Sequence, residues 1–166
     1  MEPRHPSESD SILTRWMGVT DANTAGNVHG GMILRLCDEA AGLAAVRHSR
    51  GRVVTAGMDR MTFLSPVYIG QLVTCRATVN AAWHTSVEVG VRVESEDVRT
   101  GEVHHACTAY LTMVALDRDG RPTRVPALIP ETDEEIRRQR EAQVRRDNRL
   151  AEREAIRAAR AAEQEP

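Results

Sequence analysis

The stretch Asn27-Val28-His29-Gly30-Gly31 decides the fold, because a tight turn runs directly into a strongly apolar segment. Glycine and asparagine favour turns, and the periodicity of the following residues predicts a helix from Met32 to about Ser49. Apolar residues cover most of its circumference, which is typical of a buried helix. Gly51 is a natural stop after the helix.

Strands are predicted around this helix at 11–17, 53–64, 72–83, 86–96 and 103–116. The alternation is cleanest in 86–96, where four valines face one way while Glu88, Arg92 and Glu94 face the other. One strand, the helix and then four strands with short connections predict an antiparallel sheet wrapped around a long central helix. The expected fold class is therefore α+β.

The two ends of the chain differ from this domain, which is expected to span 11–130. Residues 1–10 are polar with two prolines and are predicted to be disordered. Residues 131–166 form a charged helical extension with nine arginines and ten acids, and its helix is predicted from Asp133 to Ala162. Thr132 and Glu135 have the spacing of a capping box. A solvated helix is the simpler interpretation, and packing on another subunit is the alternative.

Composition excludes several function classes. A net charge of -2 and an aromatic content of 3% argue against nucleic acid as a partner. No apolar run approaches the roughly 20 residues that span a membrane, and no signal peptide is present, so a cytoplasmic protein is expected. The cysteines Cys37, Cys75 and Cys107 fit no metal-binding spacing. Buried reduced thiols are the expectation, with a reactive thiol as the alternative, and no metal site is predicted.

Asp38 is the main candidate for chemistry, because a carboxylate in a buried helix is costly unless it is paired or faces water. Small residues line its side of the helix and leave room beside it. An ion pair with Arg35 or Arg47 is the structural alternative. Glu39 points about 100° away and is expected to be a structural ion-pair partner.

The turn before the helix offers a second set of groups. Gly30 and Gly31 would let a ligand approach free N–H groups at a helix start, a place suited to a developing oxyanion. Asn27 could equally be a turn former, and His29 a hydrogen-bonded turn histidine. Asp38 lies too far along the same helix to reach the same carbonyl, so a neighbouring subunit would have to supply one of the two.

Several motifs together resemble the hotdog-fold acyl-CoA thioesterases, specifically the brain-type acyl-CoA hydrolase group. The matching segments are Gly26-Asn27-Val28-His29-Gly30-Gly31, Asp38-Glu39-Ala40-Ala41-Gly42, Val53-Val54-Thr55-Ala56, Phe63-Leu64-Ser65-Pro66-Val67 and Ser86-Val87-Glu88-Val89. The resemblance covers about residues 11 to 140. It implies a five-stranded hotdog fold and a homodimer, often assembled as a trimer of dimers.

The resemblance also implies hydrolysis of fatty acyl-CoA to fatty acid and CoA at the dimer interface. Asp38 would act as general base or nucleophile, Asn27 would act from the facing subunit, and the N–H of Gly30 or Gly31 would polarise the thioester carbonyl. Further substrate contacts are expected at His29, Val54, Thr55, His84, Thr85 and Ser86. CoA enters only as part of the substrate, and no cofactor, nucleic acid or membrane partner is implied. A hotdog dehydratase and a catalytically silent acyl-CoA-binding protein are the alternatives.

Overall fold

The computed structural model describes residues 1–162, which form two compact units, Met1–Ile129 and a second that begins at Pro130. The first unit holds a five-stranded antiparallel sheet in the order β1-β3-β4-β5-β2 and one long helix, α1. The elements are β1 Ser11–Trp16, α1 Gly30–Ser49, β2 Arg52–Met58, β3 Leu72–Ala82, β4 Ser86–Asp97 and β5 Glu102–Leu116. Helix α1 contacts all five strands, which confirms the predicted α+β arrangement.

Strand β2 differs from its prediction. It ends at Met58 rather than Leu64, and it pairs with β5 at the edge of the sheet. Since β4 and β5 lie between β2 and β3, residues 59–71 form a long connection instead of a tight hairpin. Within this connection, the Leu64 N–H donates to the Ala106 carbonyl at 2.8 Å. Pro66 has no N–H that could donate to a neighbouring strand.

Helix α1 is buried on one face only, so the prediction of a helix enclosed all round is wrong. The buried face contains four alanines together with Ile33, Leu36, Cys37 and His48. Outside this face, Leu34, Leu43 and Val46 are exposed, with exposed fractions of 38%, 47% and 44%. Exposed apolar side chains on a helix can mark a contact surface.

One outward position of β4 also differs from expectation. Glu88 lies on the strand face that it shares with Arg92 and Glu94, opposite the valines, but it is fully buried. The Asn80 amide donates to Glu88 Oε1 at 3.4 Å, and Asn80 occupies a bulge in β3. A side chain at Gly90 would come within 2.6 Å of the Asn80 amide, so this glycine makes room for the buried polar pair.

The N-terminal residues have a defined conformation, which differs from the predicted disorder of residues 1–10. Pro6–Glu8 form a short 3-10 helix, and Ser9 is buried. The Arg4 N–H donates to the Ala127 carbonyl, and the Ile129 N–H donates to the Arg4 carbonyl. Composition suggested a loose segment, but these main-chain hydrogen bonds hold it against residues 127–129.

The three cysteines meet in the core, although they are far apart in sequence. Cys75 and Cys107 lie on either side of Val93 in the sheet, and Cys37 on α1 contacts both thiols. All three are buried and free, as predicted. Hydrogen bonding to the neighbouring thiols, followed by burial, raises the pKa of Cys37 far above its ordinary value.

The second unit contains helix α2, Asp133–Ala162, with the predicted bounds; the last four residues of the extension lie outside the described residues. Its capping box is present, because the Glu135 N–H donates to Thr132 Oγ1 at 3.2 Å and Glu135 Oε2 accepts from the Thr132 N–H at 2.9 Å. The second bond is the main reason that the pKa of Glu135 is lowered. Neither α1 nor α2 is long and apolar enough to cross a membrane.

Candidate active site

The turn ahead of α1 is organised by Asn23. Its Oδ1 accepts from the N–H groups of Ala25, at 2.9 Å, and Asn27, at 3.1 Å. The Asn23 N–H in turn donates to the Asn27 carbonyl at 2.7 Å, and Gly26 adopts a left-handed φ of +85°. The side-chain oxygen therefore closes a compact loop, as short polar side chains do in turns.

His29 caps the N-terminus of α1. Its Nδ1 accepts from the Gly31 N–H at 2.9 Å, and its own N–H donates to the Asp21 carbonyl at 2.7 Å. Asp21 is itself anchored, because its carboxylate binds Arg15 and the Gly18 N–H, both at 2.9 Å. The Gly31 N–H is thus occupied within the chain, and His29 has a structural role in this geometry.

The Gly30 N–H is different, because it donates to no atom of the described part of the chain. Gly30 lines a groove of about 220 Å³ together with Asn23, Asn27, Phe63 and Pro66. A Cβ at Gly30 would lie 3.5 Å from the Phe63 ring, so the ring covers the helix start closely. The groove therefore combines a free N–H at the positive end of α1 with amide and apolar walls.

Asp38 is exposed, and its partner is Thr55 on the edge strand β2, whose Oγ1 donates to Asp38 Oδ1 at 2.5 Å. The expected structural alternative is absent within residues 1–162. Arg35 pairs with Glu39 at 2.8 Å, as predicted for Glu39, and Arg47 donates to the Asp10 carbonyl. Asp38 is thus held by a neutral hydroxyl and keeps one oxygen open.

A bulge in β2 lies directly beside Thr55. The pairing with β5 shifts between Thr55 and Gly57, so Ala56 is the extra residue. Thr55 pairs with Met113, whose sulfur lies 3.5 Å from Thr55 Oγ1 and whose side chain is buried in the core. The Thr55 side chain therefore faces α1, whereas its neighbour Val54 faces the other side of the sheet.

The predicted site residues fall into three separate places. Asn27 and Gly30 line the groove, and Asp38 and Thr55 form a pair in the middle of α1. His84, Thr85 and Ser86 lie at the β3–β4 turn, where Ser86 is in the same sheet row as Val114 and Val54. Within one chain, the groove does not include Asp38.

One residue of this region was not singled out from the sequence. Asn23 lies in a loop rich in turn-forming residues, and its distance from the glycine turn concealed its role as the acceptor that closes the loop. Phe63 lies in one of the segments that carry the family resemblance; the expected strand 53–64 includes it, but the irregular connection after β2 brings its ring over Gly30. No group of three or more metal-ligating side chains is found among residues 1–162.

Comparison with protein families and relatives identifies similar proteins. Residues 25–102 match the family described as the thioesterase superfamily. Protein VdlD of Helicobacter pylori is 40% identical over 130 residues, which is 78% of this chain and 74% of the relative. YkhA of Bacillus subtilis, named as an uncharacterized acyl-CoA thioester hydrolase, is 38% identical over 81% of this chain and 78% of the relative. The cytosolic acyl coenzyme A thioester hydrolase of Rattus norvegicus is 34% identical over 82% of this chain and 36% of the relative.

Solved structures agree with these relatives. An acyl-CoA hydrolase from Staphylococcus aureus, in complex with butyryl-CoA, CoA and CoA disulfide, is 33% identical with a TM-score of 0.86, covering 97% of this chain and 99% of that one. A hexameric acyl-CoA thioesterase is 36% identical with a TM-score of 0.88, covering 92% of this chain and 97% of that one. The staphylococcal enzyme has also been solved with an asparagine, an aspartate or a threonine replaced by alanine.

Proposed function

Because the chain belongs to the hotdog-fold acyl-CoA thioesterases, we propose that it hydrolyses the thioester of fatty acyl-CoA to a free fatty acid and CoA. One observation carries the proposal. The Asp38 carboxylate is exposed, forms no ion pair within residues 1–162, and receives the Thr55 hydroxyl. A carboxylate held in this way is available to take a proton from a water molecule beside a substrate carbonyl.

In the proposed reaction, Asp38 takes a proton from water while the water oxygen adds to the thioester carbon. The oxyanion that forms accepts a hydrogen bond from the Gly30 N–H at the start of α1. When the C–S bond breaks, the electron pair leaves with the CoA sulfur, which takes the proton back from Asp38. Direct attack by Asp38 is the alternative route. CoA takes part only as a portion of substrate and product, and no other cofactor is invoked.

The site is proposed to require two copies of the chain. Gly30 and Asp38 are eight residues apart on one helix, a distance of about 12 Å, so they cannot act on the same carbonyl within a protomer. The exposed Leu34, one turn before Asp38, and the exposed Leu43 and Val46 further along the helix suit a facing copy. We propose a homodimer with Gly30 of one copy opposite Asp38 of the other, assembled further as a trimer of dimers, in line with the hexameric relative.

The amide contributed by the facing copy is proposed to come from Asn23. In the staphylococcal enzyme, the replaced asparagine precedes the replaced aspartate by fifteen residues, and the replaced threonine follows it by seventeen. Asn23 and Thr55 have these same spacings from Asp38, whereas Asn27, which the sequence motif had favoured, does not. Asn23 uses its oxygen in the turn, which leaves its NH₂ group to hold the water or the carbonyl.

The remaining predicted contacts are proposed for the CoA portion of the substrate. His84, Thr85 and Ser86 lie at the turn in which the Trp83 N–H donates to the Ser86 carbonyl at 2.8 Å, and His84 is exposed there. Val54 faces away from Asp38 and would contact only substrate atoms outside the reacting centre. The cytoplasm is the proposed location, as for the relative named cytosolic.

Release of free thiol from a panel of acyl-CoAs, followed with a thiol reagent, tests the proposed activity. Wild-type protein should release thiol, and Asp38→Asn should be slower by about 10²–10⁴-fold. Water addition to an enoyl-CoA without thiol release would instead identify a dehydratase. Binding of acyl-CoA without either reaction would identify a silent binding protein.

Mixed oligomers test the sharing of the site. Asn23→Asp and Asp38→Asn proteins should each be inactive, and unfolding and refolding them together should restore activity, because mixed dimers contain one site with both native residues. Failure to restore activity, with mixing verified by two different tags, would contradict the shared site. An active monomer would contradict it as well.

A further inference from the structure

Gly42 is an unexpected residue in the middle of α1. Glycine in a helix interior is unfavourable relative to alanine, because its backbone loses more conformational freedom on folding. The neighbouring positions Ala40, Ala41, Ala44 and Ala45 show that this part of the helix otherwise favours alanine. A glycine at this point therefore needs a reason.

Packing within the protomer does not supply that reason. A Cβ at Gly42 would meet only the terminal methyl group of Met113, at 4.0 Å, which is ordinary van der Waals contact. The φ of Gly42 is not positive, so the backbone conformation does not require glycine either. At Gly31 and Gly90, by contrast, a Cβ would come within 3.1 Å of His29 and 2.6 Å of Asn80. Of these three glycines, only Gly42 has room for a Cβ. Packing within the protomer therefore does not explain why this position is a glycine.

Gly42 is also next to the candidate catalytic pair. It lies four residues after Asp38, about 6 Å further along the same face of the helix. The sulfur of Met113 is 3.5 Å from Thr55 Oγ1, and the same hydroxyl binds Asp38 at 2.5 Å. Asp38, Thr55 and Gly42 therefore lie side by side, and the buried Met113 side chain packs behind them.

We propose that Gly42 and Met113 determine which acyl chains the site accepts. The carbons next to the thioester carbonyl lie against the bare helix backbone at Gly42, and the flexible Met113 side chain packed behind the glycine can shift to make room for them. This inference rests on the proposed function, because it requires the thioester to sit at Asp38. It adds a determinant of specificity that is separate from the groups proposed to carry the reaction.

Two variants of Gly42 provide the test, with activity and stability expected to change in opposite directions. Gly42→Ala should raise Tm by about 2–4 °C, because alanine is the better helix former. Gly42→Val should lower kcat/KM for octanoyl-CoA and palmitoyl-CoA by about 10-fold or more, with acetyl-CoA much less affected, because an added side chain displaces methylene groups from the pocket. Gly42→Ala should show the same trend to a smaller extent.

Ser49→Ala is the matched control. Ser49 lies on the same face of α1 seven residues after Gly42, and its hydroxyl donates only to the Ala45 carbonyl. It should leave the chain-length profile unchanged. If the wild type hydrolyses acyl-CoA and Gly42→Val has an unaltered chain-length profile, this inference alone is overturned. A changed oligomeric state of Gly42→Ala also overturns this inference alone, because it would mean that another copy packs at Gly42. Absence of hydrolysis by the wild type overturns both this inference and the proposed function.

Discussion

His48 and Asp38 are both polar residues of the apolar helix α1, but His48 points into the core and Asp38 points outward. His48 is completely buried, and its Nε2 donates to the Pro126 carbonyl at 2.9 Å. Asp38 is exposed and is held only by the Thr55 hydroxyl. The first residue joins the helix to the main chain of a distant segment, while the second has an oxygen that remains open to a substrate.

The difference shows how a polar residue in an apolar helix can be interpreted. A buried polar group that bonds to main chain stabilises the fold, because its loss would leave the carbonyl without a partner. An exposed carboxylate that has neither an ion pair nor a main-chain partner does little for stability, and its position is better explained by chemistry. Variants at the two positions should therefore separate stability from activity.

The largest effect is expected for Asp38→Asn. Thioester hydrolysis should fall by about 10²–10⁴-fold, because the amide cannot take a proton from water. Tm should stay within a degree of the wild type, since Asp38 has no ion pair among the described residues. Glu39→Gln is the control, because it removes the exposed pair with Arg35 yet should leave activity nearly unchanged. Equal activity of Asp38→Asn and the wild type would refute the catalytic role.

His48→Ala should show the opposite pattern. Loss of the buried ring and of the bond to Pro126 should lower the free energy of unfolding by about 2–4 kcal/mol, measured by urea denaturation. The kcat of the folded fraction should remain within a few-fold of the wild type. His48→Gln retains a donor of similar reach and should cost less than His48→Ala. A large loss of kcat with unchanged stability would show that His48 does not have the structural role assigned here.

Thr55 provides a finer test of how Asp38 is held. Thr55→Val keeps the shape and removes the hydroxyl, and should lower kcat by about 10-fold, as expected for a hydrogen bond to a charged group. Thr55→Ser keeps the hydroxyl and should retain most of the activity. If the valine and serine variants are equally active, the bond between Thr55 and Asp38 does not contribute to the reaction.

Periodicity was sufficient to predict the helix, five strands and the bounds of α2. It also pointed to Asp38 as a candidate, since a carboxylate is unusual among the alanines and leucines of an apolar helix. Periodicity could not show that Leu34, Leu43 and Val46 on α1 are exposed, because apolar residues look the same in sequence whether they pack on a sheet or on another copy. The position of another copy of the chain cannot be predicted from the pattern of one sequence.

The parts that sequence did not predict depend on long-range pairing. Strand β2 ends at Met58 although the β-like pattern continues, because the chain leaves the sheet edge there to reach β3. Residues 1–10 are mostly polar, yet Arg4 pairs with residues 127–129, which are more than a hundred positions away. The role of Asn23 depends on a side chain closing a loop, and such a contact follows from conformation rather than from residue type.

The smallest expected effect concerns pH and again distinguishes His48 from Asp38. Burial lowers the pKa of His48 below its ordinary value of 6.5, so the folded protein keeps the ring neutral at a pH where the unfolded chain binds a proton. Stability should therefore be fully present above about pH 6.5 and decline as the pH falls below it, by up to about 1.4 kcal/mol per pH unit.

His48→Gln should remove this dependence, because glutamine binds no proton. Urea denaturation of both proteins between pH 5 and pH 8 measures the difference in slope. The carboxyl of Glu94, whose pKa is lowered mainly by its hydrogen bond to Arg92, affects stability only at more acidic pH, where that group becomes protonated. Parallel curves for the two proteins would mean that His48 takes up a proton equally in the folded and unfolded chains. Burial would then not keep the ring neutral, and the contrast between the two faces of α1 would be weaker than the geometry indicates.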